Sequence, residues 1–317
     1  MTNIGCFIHG VYPRSEYLAK TSRDVDRKRL TQRDLVKAQK KDFTDFVALQ
    51  KKAHFSFVED GKLSWQDIFR PIVETSSGIT VGSLTRWFDN NSFFRQPIFD
   101  SIVTINTNKL KDYFHAIIPM KKWKVTLPSP YCFAKLSLGK NGETFEDKLQ
   151  KATVIIASLV SYLSKKGVSL VQLNEPAIPY YGGSKYNLSL FTKSIAHIAK
   201  QKGGAKLAVH FYFGDAAAAV CSLALTKNVD IVGIDFYKTS LSDLPTNVSF
   251  DVLAGIVDGR NSLLENKTAL RAFVKEAIKK LSPKNLYISN NSDMDFLPET
   301  VARQKVALLG EVTKSLK

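Results

Sequence analysis

Leu170-Val171-Gln172-Leu173-Asn174-Glu175-Pro176 is the stretch on which the reading of this chain turns. A short apolar run ends in a carboxylate and a proline. That is the pattern of a buried parallel strand whose last residues emerge at the rim of an α/β barrel, where such folds place their chemistry. The pattern recurs downstream. Lys206 to Tyr212 carries His210, Val229 to Asp235 ends in Asp235, and Leu253 to Asp258 runs into Asp258-Gly259-Arg260-Asn261. These strands deliver polar residues to one rim.

Outward from that stretch, short apolar runs alternate with longer amphipathic ones, the mark of βα units. Ile4 to Ile8 and His54 to Val58 read as strands, with a helix over Thr31 to Ala53 between them and another around Trp65 to Glu74. The segment Ser76 to Pro119 has poor periodicity and is expected to be an irregular, functional excursion containing one barrel strand near Ser101 to Ile105. Later strands are expected at Lys124 to Leu127, Ser169 to Leu173, Lys206 to Tyr212, Val229 to Asp235, Val252 to Val257 and Asn285 to Ser289. Helices are expected at Phe145 to Lys166, Leu188 to Lys202, Ala216 to Thr226, Lys267 to Leu281 and Glu299 to Leu316. Alternation closing at eight strands, with no linker or composition break, predicts one (βα)8 TIM-type barrel domain over residues 1–317.

Composition bounds the function. The chain has 317 residues, 44% of them hydrophobic, enough for a sizeable core. No run reaches the roughly 18 apolar residues of a membrane span. The N-terminus has no signal-peptide pattern. Cys6, Cys132 and Cys221 are widely spaced and odd in number, which argues against a disulfide framework and for a cytoplasmic protein. The net charge of +16 is spread over helices, without an arginine-rich tail or an aromatic-interleaved RNA-binding strand, so nucleic acid is not the expected partner.

Several strings resemble the N-terminal barrel of cobalamin-independent methionine synthase. They are Tyr12-Pro13-Arg14, Arg86-Trp87-Phe88-Asp89-Asn90-Asn91, Leu170 to Pro176, Tyr212-Phe213-Gly214-Asp215, and Ala254-Gly255-Ile256-Val257 followed by Asp258-Gly259-Arg260-Asn261. They occur in the family's order along nearly the whole chain. The resemblance implies a two-barrel parent whose C-terminal barrel holds zinc and homocysteine, while the N-terminal barrel helps hold the folate tail. This chain has room for one barrel, so a zinc-bearing catalytic barrel is expected as a separate partner protein.

The resemblance also implies where the zinc ligands of the catalytic barrel would fall. His210 stands at the histidine's place and Asp235 at the glutamate's, but Tyr212 and Ser292 replace the two cysteines. Tyrosine, with a pKa near about 10, and serine are poor zinc ligands at neutral pH. No metal and no bound cofactor is therefore expected on this chain. Asn174 replaces an aspartate that would accept from an amino group, and no histidine occurs in the 258–261 segment.

Asn174, Glu175, His210, Tyr212, Asp235, Asp258, Arg260, Asn261 and Ser292 are the candidate rim pocket. The alternative is a hydrogen-bonded network in which Arg260 pairs with Asp258, Asp235 or Glu175. Arg14 and Lys20 are candidates for an anionic methyl-donor tail, although Ser15-Glu16-Tyr17-Leu18-Ala19-Lys20 replaces the family's usual Arg-Glu-Leu-Lys string and a solvated basic run reads equally well. Trp87 and Phe88 are candidates for an interface with the catalytic barrel, or for core anchors. The expected function is an accessory barrel assisting methyl transfer to homocysteine. The alternatives are an autonomous enzyme of changed chemistry on an anionic small molecule, with His210 or Asp258 as base, and a non-catalytic binding or regulatory barrel. Of the other histidines, His9, His54, His115 and His197 lie at no metal-ligand spacing.

Overall fold

Seven strands of the computed structural model run parallel in one sheet: β1 (Asn3–Cys6), β4 (Lys124–Pro128), β6 (Leu170–Glu175), β7 (Lys206–Phe211), β8 (Ile231–Asp235), β9 (Asp251–Val257) and β10 (Asn285–Asn290). Their order is β1-β10-β9-β8-β7-β6-β4. The structure describes residues 2–114, 120–223 and 228–317. His115, the end of the 76–119 segment and residues 224–226 of the expected helix lie outside the described residues. All residues of β4, β6, β8 and β9 are buried, which is why these strands read as continuous apolar runs rather than as alternating ones.

The expected strand at 54–58 is reduced to one parallel bridge, Val58 with Trp123. His54 adopts φ +56° at the end of the preceding helix, so extended pairing begins late. The segment still touches both outer strands of the sheet. Ser56 N donates to the Cys6 carbonyl at 2.8 Å, and Lys124 N donates to the Val58 carbonyl at 2.9 Å.

The expected barrel strand near 101–105 is not in this sheet. It is the end of β3 (Phe93–Ile105), which pairs antiparallel with β2 (Ser76–Arg86) and parallel with the two-residue β5 (Leu138–Gly139). The reason is burial. β3 is buried only at Phe94, Pro97 and Phe99, too little for a strand of the buried parallel sheet, whose strands are covered on both faces. What looked irregular in sequence is therefore a long hairpin with register shifts between Ser77 and Ile79 and between Val81 and Leu84.

Ten helices are described: α1 (Glu16–Asp26), α2 (Gln32–Lys52), α3 (Arg70–Thr75), α4 (Pro130–Lys135), α5 (Phe145–Lys165), α6 (Ala177–Tyr181), α7 (Lys185–Ala199), α8 (Ala217–Leu223), α9 (Lys267–Leu281) and α10 (Glu299–Ser315). Capping boxes at Thr31/Asp34 and Thr144/Asp147 fix the starts of the two long helices α2 and α5. The helix expected from Trp65 starts only at Arg70, because Asp67 Oδ1 accepts from the N–H groups of Phe69 and Arg70, both at 2.8 Å, and Pro71 follows. Among the described residues no helix is long and apolar enough to cross a membrane.

Candidate functional site

The strand ends converge on a polar interior. Lys124 in β4 donates to the Ile8 carbonyl (2.8 Å), Thr126 Oγ1 (3.0 Å) and Glu59 Oε2 (2.9 Å), all buried. Burial pulls the Lys124 ammonium down to about 8 against the pull of Glu59. One layer higher, Gln172 Nε2 lies 2.7 Å from His9 Nδ1 and 2.8 Å from Asn174 Oδ1. Asn290 grips the same loop, accepting from His9 N (2.9 Å) and donating to His9 O (2.7 Å).

His210 stacks on His9 with ring centroids 4.0 Å apart. Its Nε2 lies 2.8 Å from the Asn291 carbonyl oxygen, so the neutral ring donates there. Its Nδ1 faces Gly233, where a Cβ would stand 2.3 Å from that nitrogen. Burial holds His210 down to about 3 and His9 well below the usual histidine range. Tyr212 packs its ring against His9 at 4.8 Å, and burial pushes its hydroxyl well above the usual range.

The other expected rim residues spread out. Glu175 is buried and turned toward backbone. It accepts from the Ser129 hydroxyl, Cys132 N (3.2 Å) and Ile178 N (2.8 Å), tying β6 to the starts of α4 and α6. Burial outweighs those bonds and raises its carboxyl to about 7. Asp235 accepts from Tyr237 N (3.0 Å), Asn291 Nδ2 (3.1 Å) and Phe213 N (3.4 Å), and burial raises it to about 6. Ser292 is buried and donates to Asn291 Oδ1 at 3.2 Å. Asp258 closes a turn with Arg260 N at 2.9 Å, and Asn261 closes the next with Leu263 N at 3.0 Å. The Arg260 side chain pairs with none of Asp258, Asp235 and Glu175. It lies 3.9 Å from Asp89 and over the Phe213 ring at 5.5 Å.

Trp87 and Phe88 are both buried. Trp87 packs on Phe69 and Phe94, and Phe88 packs on Tyr180 and Phe213. Arg14 donates to the Trp65 carbonyl at 2.6 Å and lines a cleft of about 800 Å³, while Lys20 stands exposed on α1.

The open space lies beside the expected rim residues rather than among them. A cavity of about 110 Å³ opens where the loops after β1 and β10 meet the β2–β3 hairpin. Lys62, Trp65, Ser92, Asp293 and Asp295 line it, with Trp87. Gly10, at φ +78°, lets the β1 loop run against Asp293, whose Oδ1 would lie 1.9 Å from a Cβ there. Val11 N donates to that oxygen at 2.8 Å. Asp293 and Asp295 follow β10 directly, so the strand-end rule applied to the last strand points to them. Lys62, in a turn, carries no such signal.

The family's zinc does not fit these residues. His210 Nε2 is committed to a carbonyl, the oxygens of Asp235 accept three hydrogen bonds, Tyr212 holds its proton, and Ser292 is bonded to Asn291. Cys132 is a buried thiol whose N–H donates to Glu175, and burial and Glu175 push the thiol well above the usual range. Among the described residues no group of three His, Cys, Asp or Glu is placed to hold a metal ion.

A parallel α/β sheet with its polar groups gathered beyond the strand C-termini defines a class of α/β protein. Solved structures narrow it. A B12-independent methionine synthase from a Shewanella species, in complex with selenomethionine, superposes with a TM-score of 0.71 at 16% identity, covering 99% of this chain and 97% of that one. A putative vitamin-B12-independent methionine synthase from Listeria monocytogenes gives 0.74 at 15% identity, covering 99% of both. The model of the cobalamin-independent synthase N-terminal domain matches residues 77–282, more than half of the chain, and the chain belongs to that family. The 5-methyltetrahydropteroyltriglutamate–homocysteine methyltransferase of Mycobacterium leprae is 28% identical over 196 residues, covering 56% of this chain and 24% of that protein. The methionine synthase of Sulfolobus acidocaldarius is 21% identical over 303 residues, covering 94% and 87%. The chain thus spans about a quarter of the length of the mycobacterial relative and most of the archaeal one.

Proposed function

We propose that this chain is the accessory, non-zinc barrel of a split cobalamin-independent methionine synthase, working with a separate zinc-containing barrel that methylates homocysteine. In this reading the 54–59 segment is the remaining stave that closes the parallel sheet into a (βα)8 barrel. The observation that carries the proposal is the donor set at His210, Tyr212, Asp235 and Ser292 inside a member of this family: no thiolate, His210 Nε2, Asp235 and Ser292 already hydrogen-bonded, and His210 Nδ1 closed off against Gly233. Zinc activates homocysteine by stabilising its thiolate, which needs ligands these side chains do not offer.

The chain's own residues then bind and orient. Arg14 on the wide cleft, with Lys20 on the neighbouring helix, supplies positive charge for an anionic methyl donor. The aromatic cluster of Trp87 and Phe88 holds the hairpin that would meet the partner. The test is methyl transfer to homocysteine by the zinc barrel with and without this chain. A rate increase of about tenfold or more on adding the chain, lost in Arg14→Ala, is expected. An unchanged rate over a saturating range of this chain sinks the proposal.

A second reading has one observation in its favour. The Sulfolobus acidocaldarius relative, 87% of which this chain covers, is itself named a methionine synthase, so a protein of about one barrel carries that name. An autonomous enzyme would turn over substrate without any added barrel.

A further inference from the structure

The strands of the large sheet all run the same way, so their starts lie on one face, opposite the rim that carries the polar interior. That face is rich in lysine. Lys51 and Lys52 end α2, Lys121 and Lys122 stand just ahead of β4, and Lys165 and Lys166 close α5 ahead of β6, all of them exposed. Backbone hydrogen bonds set these doublets on neighbouring elements. His54 N donates to the Lys51 carbonyl at 3.0 Å, Val58 N to the Lys122 carbonyl at 2.7 Å, and Ser169 N to the Trp123 carbonyl at 2.8 Å. Exposed lysines continue in both directions, with Lys200 after α7 on one side, and Lys284 before β10 and Lys317 after α10 on the other.

Two observations set this face apart from an ordinary solvated surface. It carries little negative charge. Directly ahead of the parallel strands the acidic side chain among the described residues is Asp230, Asp251 opens β9, and both are already paired, with Lys202 and with Lys206. A helix dipole favours lysine at a helix C-terminus, but Lys121, Lys122 and Lys284 lie outside any α-helix. The second observation is the kind of charge. No arginine stands at a helix end leading into a parallel strand, and no exposed Tyr, Trp, Phe, Leu, Ile or Val stands there among the described residues. Nucleic-acid sites read bases with arginine forks and stack single strands on aromatic rings. Flexible, strongly hydrated lysines suit a surface of many anionic headgroups. They are also spread around the face, from Lys284 through Lys51 and Lys122 to Lys200, and not along the narrow stripe that a rod-like duplex would cover.

We propose that the face at the strand starts docks on an anionic lipid surface through Lys51-Lys52, Lys121-Lys122 and Lys165-Lys166, leaving the opposite rim free. The contact is peripheral and electrostatic. Each lysine close to such a surface strengthens binding about fivefold, so the three doublets together imply half-binding near about 0.1 mM lipid. The inference goes beyond the accessory-barrel reading and is tested on this chain alone, so either can fail without the other.

The experiment sediments the purified chain with vesicles of phosphatidylcholine, alone or with about 30% phosphatidylserine, in about 0.1 M salt. Binding to the anionic vesicles and not to the neutral ones is expected, with release at about 1 M salt, where the Debye length falls to about 3 Å. Lys165→Gln combined with Lys166→Gln is expected to weaken binding by roughly 10- to 30-fold. Lys37→Gln combined with Lys40→Gln removes the same charge from α2, but about 18 Å of helix separates Lys40 from Lys52, more than the Debye length of about 10 Å. That variant is expected to change binding by less than about twofold. No sedimentation with about 1 mM anionic lipid overturns the proposal. So does a loss in the Lys37 and Lys40 variant as large as in the Lys165 and Lys166 variant. A random duplex of about 20 base pairs that binds the chain more tightly than the anionic vesicles overturns it in favour of nucleic acid.

Discussion

Replacing His210 by Asn tests the claim that the interior is built for neutral imidazole. In the folded chain a second proton on His210 would sit on Nδ1, against Gly233 and without an acceptor, while Nε2 already donates to the Asn291 carbonyl. Burial accordingly holds the pKa at about 3 against an ordinary 6.5. A folded pKa below the unfolded one means that the unfolded chain takes up the proton first as pH falls. The stability tied to neutral His210 is complete above pH 6.5 and is lost as pH drops from there toward 3. A shift of about 3.5 units corresponds to about 5 kcal/mol over the full window, or about 1.4 kcal/mol per pH unit. The parent's own pH curve hides this. Glu175 and Asp293, both raised to about 7, keep protons that the unfolded chain has released, and they work in the opposite direction between about pH 4 and 7. The difference between parent and His210→Asn isolates the histidine. Measured by urea unfolding from pH 7.5 to 4.5, it should shrink by about 2.3 kcal/mol between pH 6.5 and 4.5, the unfolded imidazole being already half protonated at pH 6.5. A difference that stays flat over that range, or an imidazole ¹⁵N resonance of His210 titrating near 6.5 in the folded protein, refutes the reasoning.

Lys124→Met leaves Glu59 buried without its partner and is expected to cost about 3–5 kcal/mol in chemical denaturation, whereas Lys124→Met with Glu59→Leu should recover most of that loss. Gly10→Ala places a methyl 1.9 Å from Asp293 Oδ1 at a backbone angle of φ +78°, and calorimetry should show a loss of about 2 kcal/mol or more. Zinc titrated into the chain with a competing chromophoric chelator is expected to show no stoichiometric site of micromolar or better affinity. A tight one-to-one site would contradict the hydrogen-bond assignments at His210, Asp235 and Ser292.

Much of the architecture was legible in the chain. The fully buried strands from β4 onward announce themselves as apolar runs, and helix α9 begins and ends at the residues where its periodicity does, with Asn266 as its cap. The hairpin at 76–105 was not legible, because a strand buried at only three positions and broken by register shifts loses its period of two. The segment at 54–58 read as a full strand because its composition fits one, yet the left-handed turn at His54 leaves it a single bridge.

For the site, sequence determined residue types and their order along the strands: which positions carry His, Asp, Glu or Tyr, and that no thiolate stands at Tyr212 or Ser292. Tertiary structure decided what those groups face. Glu175 lies one residue from Asn174 and points to helix starts instead of the interior, because successive strand side chains alternate faces. Lys62, Asp293 and Asp295 come from turns separated by more than two hundred residues, and only the meeting of the first and last parallel strands, β1 beside β10, sets them around one cavity. Local sequence carries the period of a strand. Which charges end up facing each other depends on long-range pairing, which no local pattern encodes.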